Sequence, residues 1–303
     1  MSRVAIGVDI GGTKIAVGAI GEDGTIRARR TIATDAEAGF DAGLARLARA
    51  IDETMAEAGV VPAALAGIGL GCPGPFDEAS GRIENFYTLP GWEGNDIVSP
   101  LTARFGTPVR LVNDADAALL GEALAGAARG ARIAVMLTVG TGIGGAALID
   151  GAILRGAKGE HPEIGHLIVD PAGPECYCGS RGCIEAFAAG PALARAGAEY
   201  GYADAEAVFA AAKAGEEPAR AIVARSAEAM ETGVWSLIHA FLPEVLLIGG
   251  GMGERHFALY REAAGRAIAR AVLAPEGAIR VVKAALGNDA GMVGAAALML
   301  DAA

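Results

Sequence analysis

Residues 8–20 read VDIGGTKIAVGAI, and residues 137–149 read LTVGTGIGGAALI. Each stretch is an apolar run, a turn of glycine and threonine, and a second apolar run, which predicts two antiparallel strands joined by a hairpin. The likeness between the two stretches indicates an internal duplication, although they have diverged too far to prove it. The pattern favours two similar halves that face each other across a cleft.

The segments around these hairpins alternate between strand and helix patterns, which predicts an α/β protein. In the N-terminal half, strands are predicted at residues 4–8, 15–20, 25–32, 65–70 and 109–112, and helices at residues 36–58 and about 114–128. In the second half, strands are predicted at residues 133–139, 145–149, 245–248 and 279–282, and helices from residue 254 and at residues 290–300. We therefore expect a small lobe of residues 1–114, joined by the C-terminal helix at about 290–303, and a larger lobe of residues 115–289.

The composition is that of a globular chain and excludes several classes of protein. Of the 303 residues, 52% are hydrophobic and 20% are charged, and the formal net charge is -11. An acidic chain is poorly suited to neutralising phosphates, so we expect no nucleic-acid partner. The chain has no run of about 18 apolar residues and no basic segment followed by an apolar leader, so we expect no membrane contact and a cytoplasmic location.

Three glycine-rich turns, at residues 11–13, 140–145 and 249–253, each follow an apolar strand. Glycine lets backbone N–H groups approach phosphate oxygens without a Cβ in the way, although a single turn of this kind also fits an ordinary hairpin. A P-loop is excluded because Thr-Lys follows Gly12 and a strand comes next. A dinucleotide-binding turn at residues 69–74 is excluded because Pro73 and Pro75 interrupt it and no helix begins there.

Five motifs follow one another along the chain: DIGGTK at 9–14, GCPGPFD at 71–77, NDADAA at 113–118, GTGIGG at 140–145 and GGGMGE at 249–254. In this order they resemble the ROK family of sugar kinases and repressors, and the similarity runs from residue 4 to the C-terminal helix. The resemblance implies the two-lobed, ribonuclease H-like fold of the actin-like ATPases, with a duplicated mixed sheet and an interlobe cleft.

The resemblance also implies an ATP site between the lobes, with Mg²⁺. Asp9 is expected near the Mg²⁺, often through water. The residues expected around the phosphates are Gly11, Gly12, Thr13, Lys14, Thr141, Gly142 and Gly144, and those expected near adenosine are Gly249, Gly250 and Gly251.

Four residues of the loop at 161–185 predict a metal site: His166, Cys176, Cys178 and Cys183. Three thiols within eight residues of a cytoplasmic chain favour metal over disulfides. Three thiolates and an imidazole are the ligands of a closed tetrahedral Zn²⁺ site, which leaves no position for a metal-bound water, so its role is expected to be structural. The ROK zinc signature has the same pattern. Cys72, by contrast, is interpreted as a small core residue.

The resemblance assigns the sugar to residues on both sides of this loop. Glu163, His166 and Glu185 are expected to bind hexose hydroxyls, and Asn113 and Asp114 are expected to hold the side that reacts. We expect Asp114 to accept the proton of the 6-hydroxyl as it attacks ATP, although an aspartate there also fits an ordinary helix cap. His161, His239 and His256 belong to no motif and are interpreted as packing or surface residues.

The sequence leaves the sugar and one other functional class open. Glucose is the first choice, and fructose, N-acetylmannosamine and N-acetylglucosamine are alternatives, because Thr88 and the His161-Pro162 pair depart from the common ROK pattern. A ROK transcriptional regulator is the alternative class, disfavoured because no helix-turn-helix fits ahead of Gly11. A binding protein without catalysis is disfavoured by the presence of Asp9 and Asp114. By resemblance, a homodimer or homotetramer is expected.

Overall fold

The computed structural model describes residues 3–275 and 277–300, and these contain twelve strands and ten α-helices. The strands are β1 (Val4–Ile10), β2 (Lys14–Gly21), β3 (Ile26–Ala33), β4 (Leu65–Cys72), β5 (Phe76–Asp77), β6 (Arg82–Ile83), β7 (Val109–Asn113), β8 (Ile133–Val139), β9 (Ile143–Ile149), β10 (Ala152–Ile153), β11 (Val245–Gly249) and β12 (Arg280–Lys283).

The helices connect these strands, and the longest of them has 25 residues. They are α1 (Phe40–Ala58), α2 (Val98–Phe105), α3 (Asp114–Ala125), α4 (Ile184–Ala188), α5 (Gly190–Ala198), α6 (Ala205–Ala214), α7 (Glu217–Phe241), α8 (Gly251–Arg255), α9 (Phe257–Arg270) and α10 (Ala290–Leu300). None of the described helices is both long enough and apolar enough to cross a membrane.

The chain forms two compact units. The first contains the residues up to Gly130, the segment Arg155–His161 and the residues from Ala285 onward; the second contains Ala131–Leu154 and Pro162–Ala284. The sequence-based boundary after residue 114 falls behind the first residue of α3, whereas this division keeps all of α3 in the first unit. The reason is packing: the helices α3 and α10 touch through backbone, and a Cβ on Gly294 would lie 1.6 Å from the carbonyl oxygen of Ala117.

Each unit is built on one five-stranded mixed sheet, and the two sheets have the same topology. The first has the order β3-β2-β1-β4-β7 and the second β10-β9-β8-β11-β12. In each, the central strand (β1 or β8) pairs antiparallel with its hairpin partner and parallel with the strand three positions later in the chain (β4 or β11). The predicted α/β class with a duplicated mixed sheet is therefore confirmed.

The closing helix α10 packs directly on the first sheet. A Cβ on Gly7 would lie 1.9 Å from the carbonyl oxygen of Met292, and a Cβ on Gly69 would lie 1.7 Å from that of Ala295. Glycines on the strands therefore let the helix backbone approach the sheet closely. The ten residues from Ala290 to Met299 are almost all buried, which explains why α10 is apolar on every side.

Two of the element boundaries that differ from the sequence-based prediction have a clear local cause. The helix predicted from residue 36 is a short 3₁₀ turn at Ala36–Ala38 followed by α1 from Phe40, because Gly39 has a φ of 86° that interrupts the helix. The strand predicted from residue 145 begins at Ile143, which pairs with Val139. In a tight hairpin, glycines that resemble turn residues in the sequence can therefore belong to the paired strand.

Candidate active site and metal centre

The carboxyl ends of three parallel strands of the first unit bring two carboxylates to one edge of the sheet. β4 lies between β1 and β7, with Asp9 opposite Gly71 and Cys72 opposite Asn113. Asp114 follows β7 directly as the first residue of α3. Asp9 and Asp114 thus lie two strands apart, a backbone separation of roughly 10 Å across the sheet. The carboxyl edge of parallel strands is where α/β proteins place their ligands.

Asn113 and Asp114 have different tasks at the start of α3. The side-chain oxygen of Asn113 accepts hydrogen bonds from the backbone nitrogens of Ala115 at 2.8 Å and Asp116 at 3.4 Å, so Asn113 is the N-cap. Asp114 accepts one hydrogen bond from Ala115, at 2.8 Å, and its side chain is exposed. The helix cap that the sequence left as an alternative role for Asp114 therefore belongs to Asn113, and Asp114 remains open to a ligand.

The electrostatics of this edge favour protonated or metal-bound carboxylates. Burial, and secondly the Asp114 carboxylate, raise the pKa of Asp9 to about 6. Although the Asp114 side chain is accessible to solvent, the protein packed around it displaces enough water to raise its pKa, while the N–H of Ala115 and then His161 act in the opposite direction. Burial and the same two carboxylates raise the pKa of the Cys72 thiol, which keeps it neutral. A cation would relieve the repulsion between the two aspartates.

Three residues of this region were missed by sequence reasoning. The side chain of Asp116 is fully buried and contacts His161 Nδ1 at 3.0 Å and Arg155 Nη1 at 2.8 Å. His161 is therefore not an incidental packing or surface residue but part of an ion cluster next to Asp114. The only sequence signal for this cluster was Asp116, the second aspartate of NDADAA. No local pattern identifies its partner His161, which is 45 residues away.

The first glycine turn offers backbone donors to an anion. Gly11 closes the hairpin by donating from its N–H to the carbonyl of Lys14, at 2.9 Å. Among the residues that the structure describes, the N–H groups of Gly12 and Thr13 have no protein acceptor. A Cβ on Gly12 would lie 2.9 Å from the methyl group of Thr88, so this position is open only because it is glycine. The predicted phosphate turn fits a bound phosphate.

The second glycine turn, between β8 and β9, also offers backbone N–H donors to an anion. Within the described part of the chain, the N–H groups of Thr141 and Gly142 likewise have no protein acceptor. The next N–H, that of Ile143, donates to Glu185 Oε2 at 2.7 Å. Glu185 is therefore held beside the turn by a backbone hydrogen bond.

The third glycine turn begins a helix. β11 ends at Gly249, Gly250 adopts a φ of 79°, and α8 begins at Gly251. A Cβ on Gly250 would lie 2.7 Å from backbone atoms of Val139 at the end of β8, so the turn packs tightly against the neighbouring strand. Gly251 has open space around its α-carbon, which leaves the start of this short helix accessible.

The four predicted metal ligands meet in the second unit. The ligand atoms of His166, Cys176, Cys178 and Cys183 all lie within 4.8 Å of one another. Cys176 Sγ lies 3.4 Å from His166 Nδ1, and Cys178 Sγ lies 3.6 Å from Cys183 Sγ. A tetrahedral zinc site requires about 3.8 Å between sulfurs and about 3.5 Å between sulfur and nitrogen, from its bond lengths. The four side chains therefore fit a Zn²⁺ ion, and His166 would bind it through Nδ1.

The thiols of this cluster differ in their proton affinity. Burial, followed by the neighbouring thiols, raises the pKa of Cys183 to about 12. The N–H of Ser180 is the main reason why the pKa of Cys178 lies below its usual range. Binding of Zn²⁺ would displace the remaining thiol protons, because only thiolates are ligands.

The carboxylates predicted to bind sugar lie close to the metal cluster. Glu163 accepts the backbone hydrogen bond of His166 at 3.0 Å through its carbonyl oxygen, and Cys183 directly precedes the first turn of α4, which contains Glu185. Tyr177 lies edge-on to His166, with ring centroids 5.1 Å apart. Burial, Glu185 and Glu163 together raise the pKa of Tyr177, so this phenol lies near both carboxylates. Of the five predicted sugar residues, Asn113 and Asp114 belong to the first unit and the other three to the second.

The sequence model of the ROK family matches residues 5–302. The chain is 36% identical to a glucokinase from Thermotoga maritima, with 98% of this chain and 97% of that protein covered. It is 35% identical to an N-acetylmannosamine kinase from Citrobacter koseri, with 98% of both chains covered.

Solved structures of ROK family proteins are also similar to this chain. A ROK hexokinase from Thermus thermophilus superposes with a TM-score of 0.88 at 38% identity, with 97% of each chain covered. A ROK family glucokinase from Streptomyces griseus, in complex with glucose and AMPPNP, has a TM-score of 0.73 at 30% identity, with 97% of this chain and 98% of that one covered.

Proposed function

The chain belongs to the ROK family, and from that premise we propose that it transfers the γ-phosphoryl group of ATP to the 6-hydroxyl of a hexose, with glucose as the first candidate. The observation that carries this proposal is the exposed carboxylate of Asp114 at the start of α3, on the same sheet edge as Asp9. The glucokinase relative and the structure with glucose and AMPPNP support the same reaction.

Asp114 acts as the base in this proposal. Phosphoryl transfer has a loose transition state, so catalysis requires positioning, charge neutralisation and an acceptor for the hydroxyl proton. The capping of α3 by Asn113 leaves the Asp114 carboxylate free to receive that proton. Desolvation raises the pKa of Asp114, which makes its carboxylate a better proton acceptor, and His161 acts against this rise.

The nucleotide residues supply hydrogen-bond donors and charge. The N–H groups of Gly12, Thr13, Thr141 and Gly142 suit phosphate oxygens, and Lys14 adds a cation. Asp9 would hold Mg²⁺, directly or through water, because its half-buried carboxylate pairs with no cation among the residues that the structure describes. Mg²⁺ supplies neutralisation of the charge on the phosphates.

The cysteine cluster would hold a structural Zn²⁺ ion. Four protein ligands complete its coordination, so the metal binds no reacting water. Its role in this proposal is to hold the loop that carries Glu163 and Glu185, while the Nε2 atom of His166 remains available to a sugar hydroxyl. Glu163, His166 and Glu185 are proposed to bind hexose hydroxyls.

N-acetylmannosamine kinase is the second candidate function. The relative from Citrobacter koseri is 35% identical to this chain, against 36% for the Thermotoga maritima glucokinase. Overall identity therefore does not rank the two sugars, which differ by an acetamido group and the configuration of one carbon.

A sugar panel tests the proposal. Purified protein is incubated with MgATP and glucose, fructose, mannose, N-acetylglucosamine or N-acetylmannosamine, and ADP and sugar phosphate are both quantified. We expect one ADP for each hexose 6-phosphate, with kcat/KM for glucose at least about 10-fold above the others. A preference for N-acetylmannosamine would replace glucose by the second candidate. Absence of sugar phosphate with every hexose would contradict the kinase proposal.

A further inference from the structure

Residues 155–161, named here the basic turn, form a closed turn within the first unit. Gly156 donates its N–H to the carbonyl of Glu160 at 2.8 Å, and Gly159 donates to the carbonyl of Gly156 at 3.0 Å. The Glu160 carboxylate accepts the N–H of Lys158 at 2.9 Å, which completes the turn. These bonds bring Arg155 and His161, at the two ends of the turn, next to each other.

Both ends of the basic turn contact one buried carboxylate. Arg155 Nη1 lies 2.8 Å from Asp116 Oδ2, and His161 Nδ1 lies 3.0 Å from Asp116 Oδ1. The Asp116 side chain is 0% exposed, whereas those of Arg155 and His161 are 22% and 12% exposed. Because a carboxylate only accepts hydrogen bonds, the proton of the imidazole lies on Nδ1.

This carboxylate belongs to the helix turn that carries the proposed base. Asp116 is the third residue of α3 and Asp114 the first. A fully buried carboxylate without partners is strongly unfavourable, so its contacts with the Arg155 cation and the His161 N–H hold the first turn of α3 against the basic turn. Desolvation raises the pKa of Asp114 and His161 acts against this rise, so the two side chains are also coupled electrostatically.

We propose that Arg155 and His161 are positioning residues for phosphoryl transfer, which hold the reacting carboxylate of Asp114 in place by pairing with Asp116. This inference rests on the proposed kinase function. The role falls to a segment outside the glycine turns, none of whose residues is proposed to bind metal or sugar. A displacement of the base by about 1 Å can lower a rate by about 100-fold.

Paired substitutions at His161 test the inference. Asparagine places an amide N–H near the position of Nδ1 and keeps the hydrogen bond to Asp116, whereas leucine keeps the bulk and removes the donor. We expect His161→Leu to lower kcat by about 10- to 100-fold, with the hexose KM within about twofold, and His161→Asn to keep kcat within about threefold of the parent. The hexose is the one that the sugar panel selects.

The control is a second histidine in a comparable contact. His256 Nε2 lies 3.3 Å from the Glu206 carboxylate in the second unit, and the proposal gives it no role in the reaction. His256→Leu should leave kcat unchanged. If His161→Leu does not fold, the same comparison is made with Arg155→Lys, which keeps a cation, and Arg155→Met, which removes it.

The outcomes separate this inference from the proposed function. A parent protein without sugar phosphorylation would overturn both. If the parent is active and His161→Leu has an unchanged kcat, the positioning role alone is overturned. If His161→Leu does not fold, an unchanged kcat in Arg155→Met has the same meaning. Equal losses in His161→Asn and His161→Leu would also overturn it, because retention of the hydrogen bond to Asp116 would then have no effect.

Discussion

Glu185 Oε2 accepts a hydrogen bond of 2.7 Å from the backbone nitrogen of Ile143, so a carboxylate beside the metal cluster is tied to the glycine turn between β8 and β9. The fit is close, because a Cβ on the adjacent Gly142 would lie 2.7 Å from the same oxygen. A residue proposed to bind sugar therefore also supports a turn proposed to bind phosphate.

Glu185→Ala should impair both substrates, whereas Glu163→Ala should impair only the sugar. Loss of the Glu185 carboxylate frees the N–H of Ile143 and loosens the turn, so we expect the KM values of hexose and ATP to rise together, each by about 10-fold, which corresponds to the loss of one charged hydrogen bond. Steady-state kinetics with each substrate varied in turn measures this. An unchanged KM for ATP in Glu185→Ala would show that the contact has no role in nucleotide binding.

Asp114→Asn should abolish most of the turnover while leaving the fold intact. The amide cannot accept the hydroxyl proton, and general-base catalysis contributes about 100- to 10,000-fold. The exposed Asp41 on α1 gives a matched control, since Asp41→Asn makes the same chemical change away from the site. A kcat for Asp114→Asn within tenfold of the parent would remove Asp114 from the role of base.

Metal removal should weaken sugar binding and lower the thermal unfolding temperature. We expect about one zinc per chain by elemental analysis, because the four ligands form a single tetrahedral site. Cys176→Ser should lose the metal, and Cys72→Ala, which changes a buried thiol outside the cluster, should keep it. A chelated protein with undiminished hexose affinity would contradict a link between the metal loop and the sugar.

Two glycine-to-alanine substitutions should have opposite effects on stability. Gly69→Ala would place a Cβ 1.7 Å from the carbonyl oxygen of Ala295, so overpacking should cost about 1–3 kcal/mol of unfolding free energy. Gly265 is exposed within α9 and has open space, so Gly265→Ala should stabilise the protein by about 1 kcal/mol. Urea unfolding measures both. Equal effects would show that α10 does not pack on the sheet as described.

Glu231→Gln should lower stability in a pH-dependent way. Glu231 accepts hydrogen bonds from Arg266 at 2.7 Å and Arg270 at 2.6 Å, and the Arg266 contact is the main cause of its lowered pKa. A lowered folded-state pKa stabilises the protein above the unfolded value of about 4.3 and loses that contribution as the pH falls through the folded value. We expect a difference of about 1 kcal/mol near pH 7, since both arginines are partly exposed.

The measurement is chemical unfolding of parent and variant between pH 7 and pH 3. Glu228→Gln, one turn earlier on α7 and exposed, removes the same charge and should have little effect. If the difference in unfolding free energy between Glu231→Gln and the parent stays constant down to pH 3, the ion pair is not its cause.

Most of the fold was predictable because its signals lie in adjacent residues. Strands β1, β8 and β11 are short apolar runs that end in glycine turns, and the four metal ligands fall within eighteen positions of the chain. The start of α1 was predicted four residues early, because hydrophobic periodicity does not reveal that Gly39 takes a positive φ. The extent of the first unit beyond residue 114 follows from backbone contact between α3 and α10. A Cβ on Gly121 would lie 2.3 Å from the carbonyl oxygen of Ala290, which is 169 positions later in the sequence.

The sequence by itself determined the duplicated α/β framework and the three glycine turns, and it identified the candidate metal ligands and the candidate base Asp114. Tertiary structure alone decided that His161 and Arg155 meet Asp116, that Glu185 accepts the N–H of Ile143, and that α10 packs on Gly7 and Gly69. The reason is physical. Hydrophobic period, turn chemistry and ligand type are local properties of a chain, whereas the partner of a buried charge depends on how distant elements pack, which one sequence does not record.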